Sequence, residues 1–207
     1  MTVEMCAPVR PEVFAIEAEV VRSGNSVTSA SAEMTQDGGN VAKALATFAS
    51  SRDTVDDFDR SEPPEVPEPS ELEPVHTDVM PTFAHHFDFR FAVGQFPMMG
   101  AEEARIGGWL RLHESHGLDA RLAAALLDAY PPAVMARFES MRPVSTIQMS
   151  VFLPHDFRDL DYADDAFFLV EETCEISHDG YCEERASVWG ADGRLIAQGR
   201  QMMAILG

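Results

Sequence analysis

The sequence predicts an α+β fold in which one helix packs on one face of an antiparallel sheet. Three observations carry this. The back of the chain reads as strand–strand–helix followed by four more strands. Asp179-Gly180 and Asp192-Gly193 separate apolar runs, and Asp-Gly between strand patterns signals a hairpin. The last four strands recur at the start of the chain, so the chain reads as two copies of one unit.

In order, "TVEMCAPV" (2–9), "EVFAIEAEVVRSG" (12–24), "NSVTSASAEMTQDGG" (25–39) and "NVAKALATFA" (40–49) are the first set of strands. "TFAHHFDFRFAV" alternates Phe83, His85, Phe87, Phe89 and Phe91 on one face, and "IGGWLRLHE" is the next strand. "LDARLAAALLDAY" is a helix whose apolar face holds Leu118, Leu122, Ala125, Leu126 and Ala129. "STIQMSVFL", "AFFLVEETCEISHDG", "YCEERASVWGADG" and "RLIAQGRQMMAIL" close the second set and match the first in order. The first set lacks two leading strands and a helix, so one of its faces is expected to be left bare. We read this as an N-terminally truncated chain; the rival is a partner chain covering that face. Residues 53–78 carry ten acids, one base and many prolines, and are expected to form an extended, solvated linker. The expected division is therefore 1–52, a linker at 53–78, and 79–207.

The formal net charge is −20, with a single lysine, Lys43. Such a chain repels nucleic acid and anionic lipid. No apolar run reaches the ~18 residues of a membrane span, and "MTVEMCAPVRPEV" is not a signal peptide. Cys6, Cys174 and Cys182 are odd in number and form no CxxC pair, which suits a reducing cytoplasm. There is no GxSxG elbow, GxxxxGK[ST] or GxGxxG, and His113 and His116 have no third ligand nearby in sequence. No metal or cofactor is expected.

One acid is out of place. In "LLDAYPPAVMARF" (126–138), Asp128 sits among apolar residues just before Pro131-Pro132. Pro131 should break the helix near Tyr130. An acid at a helix C-terminus is unfavourable by a few tenths of a kcal/mol or more. Two plain readings stand beside a catalytic one: an ion pair with Arg121, or a cap for the next turn. Thr146 on its strand could be a simple β-former, and Gln201 could face solvent.

"GGWLRL" (107–112), "LLDAYPPAV" (126–134), "STIQMSVFL" (145–153), "DGYCEERASVWGADGRLIAQGRQ" (179–201) and "QDGGNVAKALATFA" together resemble the TesB-like acyl-CoA thioesterases of the thioesterase-like superfamily. The resemblance implies a double hot-dog: two units of a helix wrapped by antiparallel sheet, the first here incomplete and lacking its helix. It implies hydrolysis of acyl-CoA to free acid and CoA, by a water held between an Asp, a Thr or Ser, and a Gln. These fall on Asp128, Thr146 and Gln201. Gln148-Met149 stand where the family tends to have Asp-His. CoA phosphates would need arginines, for which Arg105, Arg111, Arg137, Arg142 and Arg200 are candidates. A homo-oligomer is expected from open sheet edges. The alternative function is a non-catalytic acyl-CoA- or acyl-chain-binding hot-dog.

Overall fold

The structure is a computed structural model and describes residues 1–78, 80–114 and 116–206. Ten strands form one antiparallel sheet: β1 (Thr2–Met5), β2 (Ala15–Ser23), β3 (Val27–Gln36), β4 (Gly39–Ala49), β5 (Phe87–Gly94), β6 (Arg105–Leu112), β7 (Val144–Phe152), β8 (Phe168–His178), β9 (Tyr181–Trp189) and β10 (Leu195–Ile205). Their order is β2-β3-β4-β1-β7-β10-β9-β8-β6-β5. Among the described residues the one α-helix is α1 (Ala120–Leu126), between β6 and β7.

The hairpins follow from their turn residues. Asp179 (φ 51°) and Gly180 (φ 80°) connect β8 to β9, and Asp37 (φ 52°) and Gly38 (φ 78°) connect β3 to β4. Both central residues have positive φ, which Asp and Gly tolerate and which suits the right-handed twist of the strands. The two sets of strands meet at β1 and β7, with Glu4 opposite Gln148. Glu4 and Gln148 are also matched positions of the repeat, and their side chains hydrogen-bond. The pairing is therefore nearly two-fold symmetric about that point.

α1 starts at Asp119, whose carboxylate accepts the N–H groups of Arg121 and Leu122. It stops well short of the prolines, at Leu127. Leu122, Ala123, Leu126 and Leu127 are buried against Phe89, Ile106, Val170, Val188 and Ile196. Ala125, expected on that face, is exposed. A seven-residue helix is too short to be stable by itself, so this burial must hold it. The edge strand also begins later than the alternation suggested: Thr82–His86 is a 3-10 turn and only Phe87 enters β5.

The acidic segment is largely extended, and its second half docks on the sheet through its apolar residues while its acids stay exposed. Val66 and Leu72 cover Trp109, Leu169, Trp189 and Leu195 on the outer face of the sheet. Trp109 Nε1 donates to Pro67 O at 2.9 Å and an Arg90 Nη to Leu72 O at 2.7 Å. Prolines hold the chain extended at little entropic cost, so a few apolar residues are enough to dock it.

The inner face is continuous across the join. Register gives one row, Ala18–Ala32–Ala44–Val3–Met149–Gln201–Glu184. α1 covers its later part. At the other end Ile16, Val20 and Phe48 are exposed, so this face is bare among the described residues.

Gly108 explains how the segment after α1 is seated. Its φ is 147°, and a Cβ there would lie 2.0 Å from Arg90 O and 2.8 Å from Tyr130 Oη. Tyr130 fills that space and donates toward Trp109 O at 3.3 Å. Gly108→Ala should cost about 2–4 kcal/mol through lost space and strained backbone, to be read in urea unfolding.

Candidate active site

Asp128, Thr146 and Gln201 come together from three elements. Thr146 Oγ1 donates to Gln201 Oε1 at 2.8 Å, and Gln201 Nε2 donates to Asp128 Oδ1 at 2.8 Å. The chain of donors runs one way and ends on the carboxylate, leaving Asp128 Oδ2 for another donor. Gln201 is 3% exposed, so its amide needs both partners. Arg121 pairs with Asp119 instead of Asp128, and the next turn (Ala133–Arg137) begins after Pro132. Neither plain reading of Asp128 therefore matches its contacts.

A register shift makes the contact with Thr146 possible. Gln148 lies opposite Met202, but Thr146 lies opposite Met203, so Ile147 is an extra residue in β7. Strict alternation from Met149 would turn Thr146 to the outer face. The bulge returns it to the inner face beside Gln201.

Asp128 lines a cavity of about 620 Å³ together with Gln201, Glu184, Tyr130, Phe89, Phe91, Phe96, Ile106, Met135 and Met203, among others. By accessible surface Asp128 is exposed, although neighbouring atoms surround its carboxyl. Burial lifts its carboxyl above the usual range, and the Gln201 N–H pulls the other way. The lining is largely Phe, Met and Pro, suited to an apolar chain.

Two further acids were not anticipated. Glu184 on β9 is 2% exposed and Glu172 on β8 is 1% exposed. Glu184 Oε2 accepts the Ala133 N–H at 2.5 Å, while neither oxygen of Glu172 has a hydrogen-bond partner among the described residues. Burial pushes Glu184 up to about 8, with nearby Asp128 adding to the rise. Burial and the charge of Glu184 push Glu172 well up. The sequence held a signal for both. Glu184 lies in the period-two series Cys182, Glu184, Ala186, Val188, and Glu172 in Phe168, Val170, Glu172, Cys174.

Of the arginines considered for phosphate, Arg105 pairs with Glu171, Arg111 with Asp88 and Arg200 with Glu183. Arg137 donates to Glu102 O. Arg142 is the one that lines the cavity.

Residues 59–205 match the acyl-CoA thioesterase C-terminal domain, and residues 1–49 the acyl-CoA thioesterase N-terminal domain. The chain belongs to the acyl-CoA thioesterase family. Solved structures agree with this thioesterase fold. A hot-dog protein of unknown function from Alicyclobacillus acidocaldarius is 25% identical, with TM-score 0.89, over 100% of this chain and 77% of that one. A candidate thioesterase from Novosphingobium aromaticivorans is 21% identical, with TM-score 0.80, over 100% and 78%. The acyl-CoA thioesterase II TesB2 of Mycobacterium marinum is 14% identical, with TM-score 0.75, over 99% and 78%. Comparison with curated proteins returned no match. No helix among the described residues of this thioesterase-family chain is long and apolar enough to cross a membrane.

In this thioesterase fold the two sheet halves are not equivalent at the site. Gln201 stands opposite Met149, and the matching position opposite Met5 is Ala42. The first set of strands thus has Thr2 in the place of Thr146 but no amide in the place of Gln201.

The buried acids set a pH dependence. A Glu that titrates near 4.5 when unfolded and about 8 when folded binds more protons in the folded state between those values. Its contribution is complete below about pH 4.5 and is lost as pH rises through about 8. Denaturant unfolding of Glu184→Gln should show a shallower loss of stability over that window than the wild type.

Proposed function

We propose that this chain hydrolyses acyl-CoA thioesters to a free acid and CoA, using a water held by Asp128, Thr146 and Gln201. The observation that carries the reading is the one-way relay Thr146–Gln201–Asp128 at the wall of an apolar cavity. Family membership supports the reaction class. The four leading strands are read as the sheet of a first hot-dog unit, in a soluble cytoplasmic oligomer.

The chemistry asks little of the protein. Water adds to the thioester carbonyl carbon, and Asp128 takes its proton as the C–O bond forms. The C–S bond then breaks, and the proton passes to the departing sulfur. Gln201 holds Asp128 with one N–H and has a second to direct toward water or the carbonyl oxygen. A raised Asp128 pKa makes it a better base than a solvated carboxylate. The acyl chain occupies the Phe- and Met-lined cavity, and Arg142 meets a phosphate of CoA near the mouth.

Release of free thiol from medium- and long-chain acyl-CoA tests the reaction. Asp128→Asn should lower kcat by about 10²–10⁴-fold. Equal rates in the two proteins would remove Asp128 from the mechanism, and acyl-CoA binding without thiol release would favour a binding protein. For the mouth, Arg142→Ala should raise KM for acyl-CoA about tenfold. It should leave KM unchanged for a phosphate-free acyl thioester.

A further inference from the structure

Glu184 is adjacent to Gln201 on the sheet, in direct cross-strand register. The two side chains point the same way, into the cavity wall. Gln201 holds Asp128, and Glu184 holds Ala133. Between these anchors lies Asp128-Ala-Tyr-Pro-Pro-Ala133, the connection from the end of α1 to the next turn. Two of its residues, Pro131 and Pro132, have no N–H to bond with. Ala133 therefore carries the first amide after the prolines, and it is fully buried. A buried N–H left without an acceptor is costly, and the acceptor it has is a side chain of the sheet.

We infer that Glu184 is a positioning residue for the thioesterase reaction: with its neighbour Gln201 it clamps both ends of the Asp128–Ala133 segment, and so fixes the carboxylate of Asp128 against the cavity. The inference rests on the reading of Asp128 as the base. Tyr130, seated under Gly108, holds the middle of the same segment. The segment is thus pinned at three points by three different strands, β10, β9 and β6. Without the Glu184 contact, Ala133 would lose its hydrogen-bonded tie to the sheet, and the segment would rely on Tyr130 and on the packing of Val134 and Met135 against Cys182 and Met203. Displacements of about 1 Å in a catalytic group cost on the order of 100-fold in rate.

The test compares Glu184→Leu, which removes the acceptor at similar volume, with Glu184→Gln, which keeps a carbonyl oxygen. Amide hydrogen exchange at Ala133 reads the clamp without reference to activity. Protection should fall in the Leu variant and persist in the Gln variant. Equal protection in all three proteins would overturn the clamp. Thiol release from acyl-CoA then reads positioning. The Leu variant should lose kcat about 10- to 100-fold with KM within about threefold of wild type, and the Gln variant should recover most of that loss. A Leu variant that folds, lacks Ala133 protection and keeps wild-type kcat would sink the positioning role while leaving Asp128 in place. Asp128→Asn run alongside separates the two ideas, because undiminished turnover there defeats the mechanism itself.

Discussion

Desolvation of carboxyl groups governs this site. Asp128 lies close enough to Glu184 and Glu172 for its charge to raise both, while Arg105, Arg111 and Arg200 pair with other acids. A carboxylate in such a place must find hydrogen-bond donors or hold its proton. Asp128 has the Gln201 amide and an opening to the cavity. Glu184 has one backbone N–H, and burial raises it to about 8. Glu172 has no hydrogen-bond partner among the described residues, and burial and the charge of Glu184 push it well up.

Register on the sheet places these groups. Antiparallel pairing places Met149, Gln201 and Glu184 side by side on three strands, so one row of the inner face carries the polar wall of the cavity. The same row runs into the first set of strands as Val3, Ala44, Ala32 and Ala18. There it carries only small apolar residues. A single continuous face thus changes from small apolar residues to the polar Gln201 and Glu184 beyond the pairing of β1 with β7.

Much of the fold was legible. Asp-Gly pairs marked the hairpins because few residues accept two successive positive φ values. The repeat showed that the first strands would pair as the last ones do. Other features misled for identifiable reasons. Phe83 and His85 continue an alternation that β5 begins only at Phe87, because a 3-10 turn can carry the same spacing. The acidic segment looked solvated because its charges outnumber its apolar residues, yet Val66 and Leu72 were enough to seat it over two tryptophans. Glu172 and Glu184 looked like ordinary strand acids. Their place in a buried period-two series was visible, but charge normally argues for solvent.

By itself the sequence determined the class of fold and the helix break before Pro131-Pro132, through local rules of turn geometry, periodicity and proline sterics. The set Asp128, Thr146 and Gln201 came from the resemblance to the TesB-like thioesterases. Only the tertiary structure decided that the three meet. Alternation counted along β7 turns Thr146 to the outer face, and it reaches Gln201 because Ile147 is an extra residue in the ladder. A bulge is set by the pairing of two strands, which local residue preferences do not encode. Likewise the partner of Ala133 came from a strand 51 residues away, where packing alone could choose Glu184.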